Sequence, residues 1–446
     1  MFTDLSDFTN KLTGKRVAVL GVGVSNLPLV RLMQKQGIAD IILRDKNPDA
    51  NLHFFARAHG LTLIHGEDYL EGLDEDYIFR SPGIMPTLPQ IQSAVEKGSQ
   101  LFSEMELFFD LCPAKIIGIT GSDGKTTTTT LIYEILKKAG YTCHLGGNIG
   151  HPLLEDLPKI KEDHIVIVEL SSFQLMTMKK SPDIAVITNL APNHLDKHTD
   201  MEEYIEAKTN IFRHGSKVTV FNLDNEITSS FINETSLAFS LSKPVEKGAY
   251  LQDDTVYFNG NEVMKRSDIL LPGIHNVDNY LAAICAVSSL CDLSYVKEVA
   301  KEFGGVEHRI EYVRELDGVR YYNDSIASSP TRAIAGLRSF PQKLIVIAGG
   351  SDKNIPFDTY AKEVCERVKH LVVMGHTKEK IKEAVLAVDP EFPISEAKDL
   401  QDAVNLAKEH AEKGDVVMLS PACASFDYFK NFMDRGNQFK ELVRSL

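Results

Sequence analysis

Apolar residues in this chain keep returning in one cycle. A short unbroken apolar run comes first, then a glycine or polar turn, then apolar positions three and four apart. The runs predict buried strands and the spaced positions predict helices, so the cycle predicts α/β layers. KRVAVL (15–20), a second strand ending at Asp45, a strand end at 79–80, IIGI (116–119), HIVIVEL (164–170) and 183–188 are strands of the first half. Helices are expected at 27–36, over Leu131, Ile132, Ile135, Leu136 and Ala139, at 202–212 in EEYIEAKTNIF, and at 277–290. Phe258-Asn259-Gly260-Asn261 is a hairpin turn, because Asn-Gly accepts the left-handed backbone that a two-residue connection needs. GGNIG (146–150) is too glycine-rich for a helix or central strand. From Val319 the alternation resumes: strands at 319–323, 343–348, 371–374 and 416–419, and helices at 330–339, 358–369, 378–387, 400–412 and from about 427.

Two changes of pattern divide the chain. A new strand-loop-helix set starts near Leu111, and another near Val306-Glu307-His308-Arg309, giving expected domains at 1–110, 111–307 and 308–446. At 446 residues, two to four separately packed domains are expected. The net charge of −14 argues against a nucleic-acid binder, and no block of Lys and Arg offsets it. No apolar run approaches a membrane span, and the polar, acidic start is not a signal peptide. The six cysteines form no CxxC pair and read as the reduced thiols of a cytoplasmic protein.

The chemistry concentrates on KIIGITGSDGKTTTTTLIYEILKKAG (115–140). Strand, glycine loop, lysine, hydroxyl and helix make a triphosphate cradle: inward N–H groups and a helix N-terminus meet phosphate, Lys neutralises it, and Thr reaches Mg²⁺. The match is loose, with Ile119 where the usual loop has its first Gly, and five threonines in a row make a poor helix start. Glu169 ends a continuous apolar strand, where it can hold Mg²⁺ across from Thr126 or cap the next helix. Gly21-Val22-Gly23-Val24-Ser25-Asn26 is two-thirds of a dinucleotide fingerprint, with Asn26 in place of the third Gly and Asp45 at the ribose or base position. That departure points to a nucleotide other than NAD. Phe79-Arg80-Ser81-Pro82-Gly83-Ile84 suits the rim of the same crevice. His194 and His198 could suggest zinc, but Pro192 and the absence of a third soft ligand disfavour it. Asn276 and Asn279 can equally cap a helix or meet a ligand. Turns at 323–325, 349–353 and 420–427 converge on one sheet edge.

TGSDGKTT, GGNIG, ELSSFQL, NHLDKH, EAKTNIF, HNVDNYLAA, EHRIE, NDS and SPACASFD, in this order, resemble the Mur ligases across the whole chain. ELSSFQL and SPACASFD look most like the branch that adds D-glutamate. The resemblance implies an α/β fold of three domains: an N-terminal Rossmann-like UDP-binding domain, a central P-loop ATPase-like domain and a C-terminal Rossmann-like domain. It implies ATP-dependent joining of D-glutamate to UDP-N-acetylmuramoyl-L-alanine through an acyl phosphate, in cytoplasmic peptidoglycan precursor synthesis. ATP would meet Gly121, Ser122, Asp123, Gly124, Lys125, Thr126, Thr127, Asn276, Asn279, Arg309 and Asp324. Two Mg²⁺ ions would be held by Thr126, Glu169, His194 and Lys208, the last as a carbamate; Lys125, His194 and Lys208 would be the catalytic set. The UDP substrate would meet Val24, Ser25, Asp45, Lys46, Ser81, Gly83 and Asn148, and D-glutamate would meet Ser328, Lys353, Ser425 and Phe432. A monomer that closes over ATP is expected, with no nucleic-acid or membrane partner. Asp123 replaces a more common Asn, Ile326 a common Lys, and Ser328 a common Thr.

Overall fold

The computed structural model describes residues 1–192, 197–352 and 355–446. The first sheet contains Val17–Leu20 (β1), Ile41–Asp45 (β2), Thr62–His65 (β3), Tyr77–Arg80 (β4) and Gln100–Ser103 (β5), all parallel, in the order β3-β2-β1-β4-β5. Its order reverses between β1 and β4, so the loops after those two strands open the crevice in which such sheets bind ligands. Gly21–Ser25 and Ser81–Gly83 are those loops.

The second sheet holds Lys115–Thr120 (β6), Cys143–Gly147 (β7), Ile165–Glu169 (β8), Ile184–Ile187 (β9), Val218–Asn222 (β10), Leu237–Ser240 (β11), Gly248–Gln252 (β12), Thr255–Phe258 (β13) and Asn261–Lys265 (β14). The order is β14-β13-β12-β11-β10-β9-β6-β8-β7, parallel from β7 to β12 and antiparallel from β12 to β14. β8 is buried throughout, which its β-branched IVIV run suits because helices cover both faces of a parallel sheet. GGNIG enters the sheet only as the end of β7, an edge strand. Asn259 and Gly260 take φ of 48° and 79° and close the β13–β14 hairpin as its composition predicts.

Helix Lys125–Lys138 forms despite its threonines, and their hydroxyls show how. Thr129 and Thr130 each donate back to the carbonyl four residues earlier, at 2.8 Å, so these two hydroxyls are satisfied within the helix. Leu131, Ile132, Ile135 and Leu136 are fully buried on one face.

The third sheet holds Glu311–Leu316 (β15), Val319–Asn323 (β16), Leu344–Gly349 (β17), Val368–Met374 (β18), Ile394–Glu396 (β19) and Val416–Leu419 (β20), in the order β15-β16-β20-β17-β18-β19. β15, which the sequence pattern did not reveal, pairs antiparallel, and the others are parallel. The last helix begins at Phe432 rather than near Asp427. Asn431 supplies the start signal by accepting the Asp434 N–H, and the residues before it form turns.

The chain packs as two units. One comprises Met1–Arg266 with Val277–Val299, and the other Ser267–Asn276 with Ala300–Leu446. Within the first, one apolar cluster runs from Phe2 and Phe8 through Phe108 and Phe109 to Leu170, Leu175 and Phe221. Glu104 lies in this region, 5% exposed, with Oε1 lacking a hydrogen-bond partner among the described residues, and burial pushes its carboxyl up to about 8. A folded pKa above the unfolded value makes the group's contribution full below about pH 4.5 and lost as pH rises toward 8. Glu104→Gln is therefore expected to flatten the fall in unfolding free energy between pH 5 and 8 by about 3 to 4 kcal/mol. Urea unfolding at both pH values checks this, and identical slopes for variant and wild type would refute it.

Candidate active site

The phosphate loop leaves β6 at Thr120, the strand flanked by β8 and β9. Gly121 and Gly124 take φ of 149° and 77°, which L side chains avoid, and the space beside them is filled. A Cβ on Gly121 would strike Thr188 Oγ1, and one on Gly124 would strike Asn279 Oδ1. The loop is held from the β9 end. Ser122 N–H donates to Asn189 O and Asp123 N–H to Asn189 Oδ1, each at 2.9 Å, and Thr188 Oγ1 donates to Asp123 O at 2.5 Å. Ser122 Oγ donates to Ala191 O at 2.9 Å and lies 2.9 Å from Tyr204 OH. Lys125 folds over the loop and donates to Gly121 O and Ser122 O, both at 2.8 Å. Thr126 and Thr127 follow in the first helical turn, half-buried, and Asp123 is exposed.

Lys208 enters this loop from behind. Helix Met201–Arg213, capped by Asp200, carries it into the interior, where it is 2% exposed. Its Nζ donates to Thr120 Oγ1 at 3.0 Å and Gly121 O at 2.9 Å. Burial, reinforced by the charge of Lys125, holds its amine well below the usual lysine range.

Glu169 ends β8 and is 1% exposed. Oε1 accepts Asn148 Nδ2 at 2.7 Å, while buried Oε2 has no hydrogen-bond partner among the described residues. Helix Ser172–Leu175 is capped instead by Ser171, so Glu169 is not its cap. A buried carboxylate oxygen without a donor fits a magnesium ligand. Asn148, expected against the UDP substrate, thus has its amide on Glu169. His198 is a core residue: Nε2 lies 2.9 Å from Ser172 Oγ and the ring stacks on Phe173 at 5.0 Å. Among the described residues no group of three His, Cys, Asp or Glu is arranged to hold a metal. His194 and Lys353 lie outside the described residues.

At the first-sheet crevice, Asp45 accepts the N–H of Val22 at 2.8 Å and of Asn47 at 2.9 Å, so it braces the glycine loop. Asn26, in the third-glycine position, is fully buried and donates to Leu20 O and Gly21 O at 3.1 and 3.0 Å. Val24 is 78% exposed, Ser25 stands at the start of the helix, and Lys46 pairs with Glu67 at 2.7 Å. Ser81 faces Gly21, and Gly83 has open space where a side chain would be.

On helix Ile274–Val287, Asn276 donates to Pro272 O at 2.6 Å and Asn279 accepts the Thr128 hydroxyl at 3.2 Å. In the C-terminal unit, Asp324 accepts Ser420 Oγ at 2.9 Å and Ile310 N–H at 3.3 Å, and burial pushes its carboxyl up to about 7. Arg309 is exposed, Ser328 half-buried, Ser425 buried, and the Phe432 ring meets His308 at 5.9 Å. Arg435, with no signal in the sequence, ties two turns together. It donates to Ser325 Oγ and O and to Cys423 O and Ala424 O at 3.0–3.2 Å.

The Mur ligase middle domain matches residues 119–287, and the Mur ligase glutamate ligase domain matches 308–423. A UDP-N-acetylmuramoylalanine–D-glutamate ligase of Acetivibrio thermocellus is 51% identical over 466 residues, covering 100% of both chains. The chain belongs to the Mur ligase family. A Mur ligase of the same designation from Clostridium kluyveri is 49% identical over 458 residues, again with 100% of both chains covered. The UDP-N-acetylmuramate–alanine ligase structure from Thermotoga maritima covers 97% of this Mur ligase and 99% of its own chain, with a TM-score of 0.57 and 20% identity, a likeness of fold. No helix among the described residues is long and apolar enough to cross a membrane.

Proposed function

We infer that this Mur ligase joins D-glutamate to UDP-N-acetylmuramoyl-L-alanine with ATP, releasing ADP and phosphate, in cytoplasmic precursor synthesis for peptidoglycan. The observation that carries the reading is the buried Lys208 amine against Gly121 O of the phosphate loop, on a chain half identical to D-glutamate ligases. A neutral amine can add CO₂ to give a carbamate and a proton, and the resulting anion would lie within electrostatic reach of Glu169. Thr126, Glu169, carbamylated Lys208 and His194 are the residues proposed to hold two Mg²⁺ ions. Bound magnesium would supply charge neutralisation at the phosphate oxygens.

The acceptor's L-alanine carboxylate is a poor electrophile. Its oxygen attacks the γ-phosphorus, the bond to ADP breaks, and an acyl phosphate results. Loop N–H groups and Lys125 hold the phosphates in line, which is most of what phosphoryl transfer asks of a protein. The D-glutamate amine then attacks the acyl carbon, loses a proton, and phosphate leaves. By resemblance, residues 1–110 bind the UDP substrate through Val24, Ser25, Asp45, Lys46, Ser81 and Gly83. Residues 111–307 grip the triphosphate, and residues 308–446 bring D-glutamate to Ser328, Lys353, Ser425 and Phe432.

ADP release coupled to NADH oxidation tests this with UDP-N-acetylmuramoyl-L-alanine and either D- or L-glutamate. Release is expected only with the acceptor and the D-isomer together. Release without either reactant would overturn the assignment.

A further inference from the structure

Arg80 ends β4 immediately before Ser81 and is fully buried. Nη1 donates to Ile84 O at 3.1 Å, closing the 81–84 turn from inside. Nη2 donates to Phe173 O at 2.7 Å and Thr177 Oγ1 at 3.2 Å, in the segment that follows Glu169. The Thr177 hydroxyl donates in turn to Glu106 Oε2 at 2.9 Å, and Glu106 also accepts Ser103 N–H at 2.8 Å. The anchor is stiff: Ser171 and Gln174 cap each other, and the Phe173 ring is stacked on His198. Burying a guanidinium is costly where packing alone would be served by an apolar side chain. A fork-shaped donor is what can reach carbonyls on two separate segments at once, and an ammonium group lacks that span.

We propose that Arg80 is a positioning residue for the ligation, fixing the Ser81–Gly83 turn against the Glu169–Thr177 segment. The uridine diphosphate end of the acceptor is thereby held in constant register with the magnesium carboxylate. This rests on the reading of that turn as part of the UDP pocket. A lysine at this position fills much of the space but releases one segment. The acceptor then has to order the turn as it binds, a cost that ATP and D-glutamate do not share.

Steady-state kinetics of Arg80→Lys, Thr177→Val and Ser81→Ala test this. Arg80→Lys is expected to raise KM for UDP-N-acetylmuramoyl-L-alanine roughly tenfold, with KM for ATP and D-glutamate within about twofold of wild type. Thr177→Val, which removes one hydroxyl contact, is expected to move the same constant in the same direction by less, and it carries the test if Arg80→Lys does not fold. A fall in kcat that follows the folded fraction, with all three KM values unchanged, would show that Arg80 only packs. A normal acceptor KM in Ser81→Ala would overturn the UDP reading of the turn and the brace with it. An impaired Ser81→Ala beside a normal Arg80→Lys would sink the brace alone.

Discussion

Lys125→Ala is expected to lower ADP release at least about a thousandfold while leaving the fold intact. Lys125 Nζ donates to Gly121 O and Ser122 O at 2.8 Å, so the ammonium stands where the loop backbone turns inward. A triphosphate entering that cradle brings concentrated negative charge into a chain whose net charge is already −14. Lys125 is the fixed cation that the loop itself provides. Removing one group aimed at developing charge typically costs a hundred- to a thousandfold, and a full charge costs more than a dipole. The fold survives because the glycine turns are held from β9, by Thr188 and Asn189, and not by Lys125 alone. The measurement is coupled ADP release beside far-UV circular dichroism. Near-normal release by a folded variant would refute the role.

The second large effect concerns Lys208. Its burial and the nearby Lys125 both disfavour the ammonium form, which favours the nucleophilic free amine. Carbamylation converts that amine into an anion, and the same Lys125 charge that opposed the ammonium then favours the carbamate. Lys208→Ala is expected to lose about a hundredfold or more in turnover, and millimolar formate or acetate is expected to restore at least tenfold of it by placing a carboxylate in the vacated space. The wild-type chain equilibrated with ¹³CO₂ should show a carbamate carbon resonance that Lys208→Ala lacks. A folded variant with no rescue, together with no such resonance in the wild type, would count decisively against the modification.

Much of the architecture could be read from residue pattern because the relevant signals are local. The apolar run before Glu169, the Asn259-Gly260 turn and the helix face at Leu131, Ile132, Ile135 and Leu136 each specify their own geometry. What escaped includes local signals that went unread. β15 has an ordinary, half-buried composition, but Asp317-Gly318, at φ of 53° and 81°, closes it against β16 as a two-residue hairpin. The last helix waits for Asn431 because capping outweighs the propensities of the residues before it. Among candidate site residues, Lys208 was legible only through resemblance, since helical spacing alone puts a lysine on the surface. Asn148 reads differently in three dimensions: its amide is on Glu169, so Asn148→Ala would act on that carboxylate as well as on any ligand. Arg80 lay inside the Phe79–Ile84 segment without a role of its own and Arg435 in no motif at all, and what each does is recognisable only once its carbonyl partners are in place.

Arg435 carries one more implication. The turns at Ser325 and at Cys423–Ala424 are more than a hundred and about a dozen residues upstream of it, and both close on a single guanidinium near the carboxyl end of the chain. Neither turn can be fixed by its own neighbours in sequence. The shape of this end of the third sheet is thus a long-range property, absent until one side chain more than a hundred residues beyond Ser325 has docked.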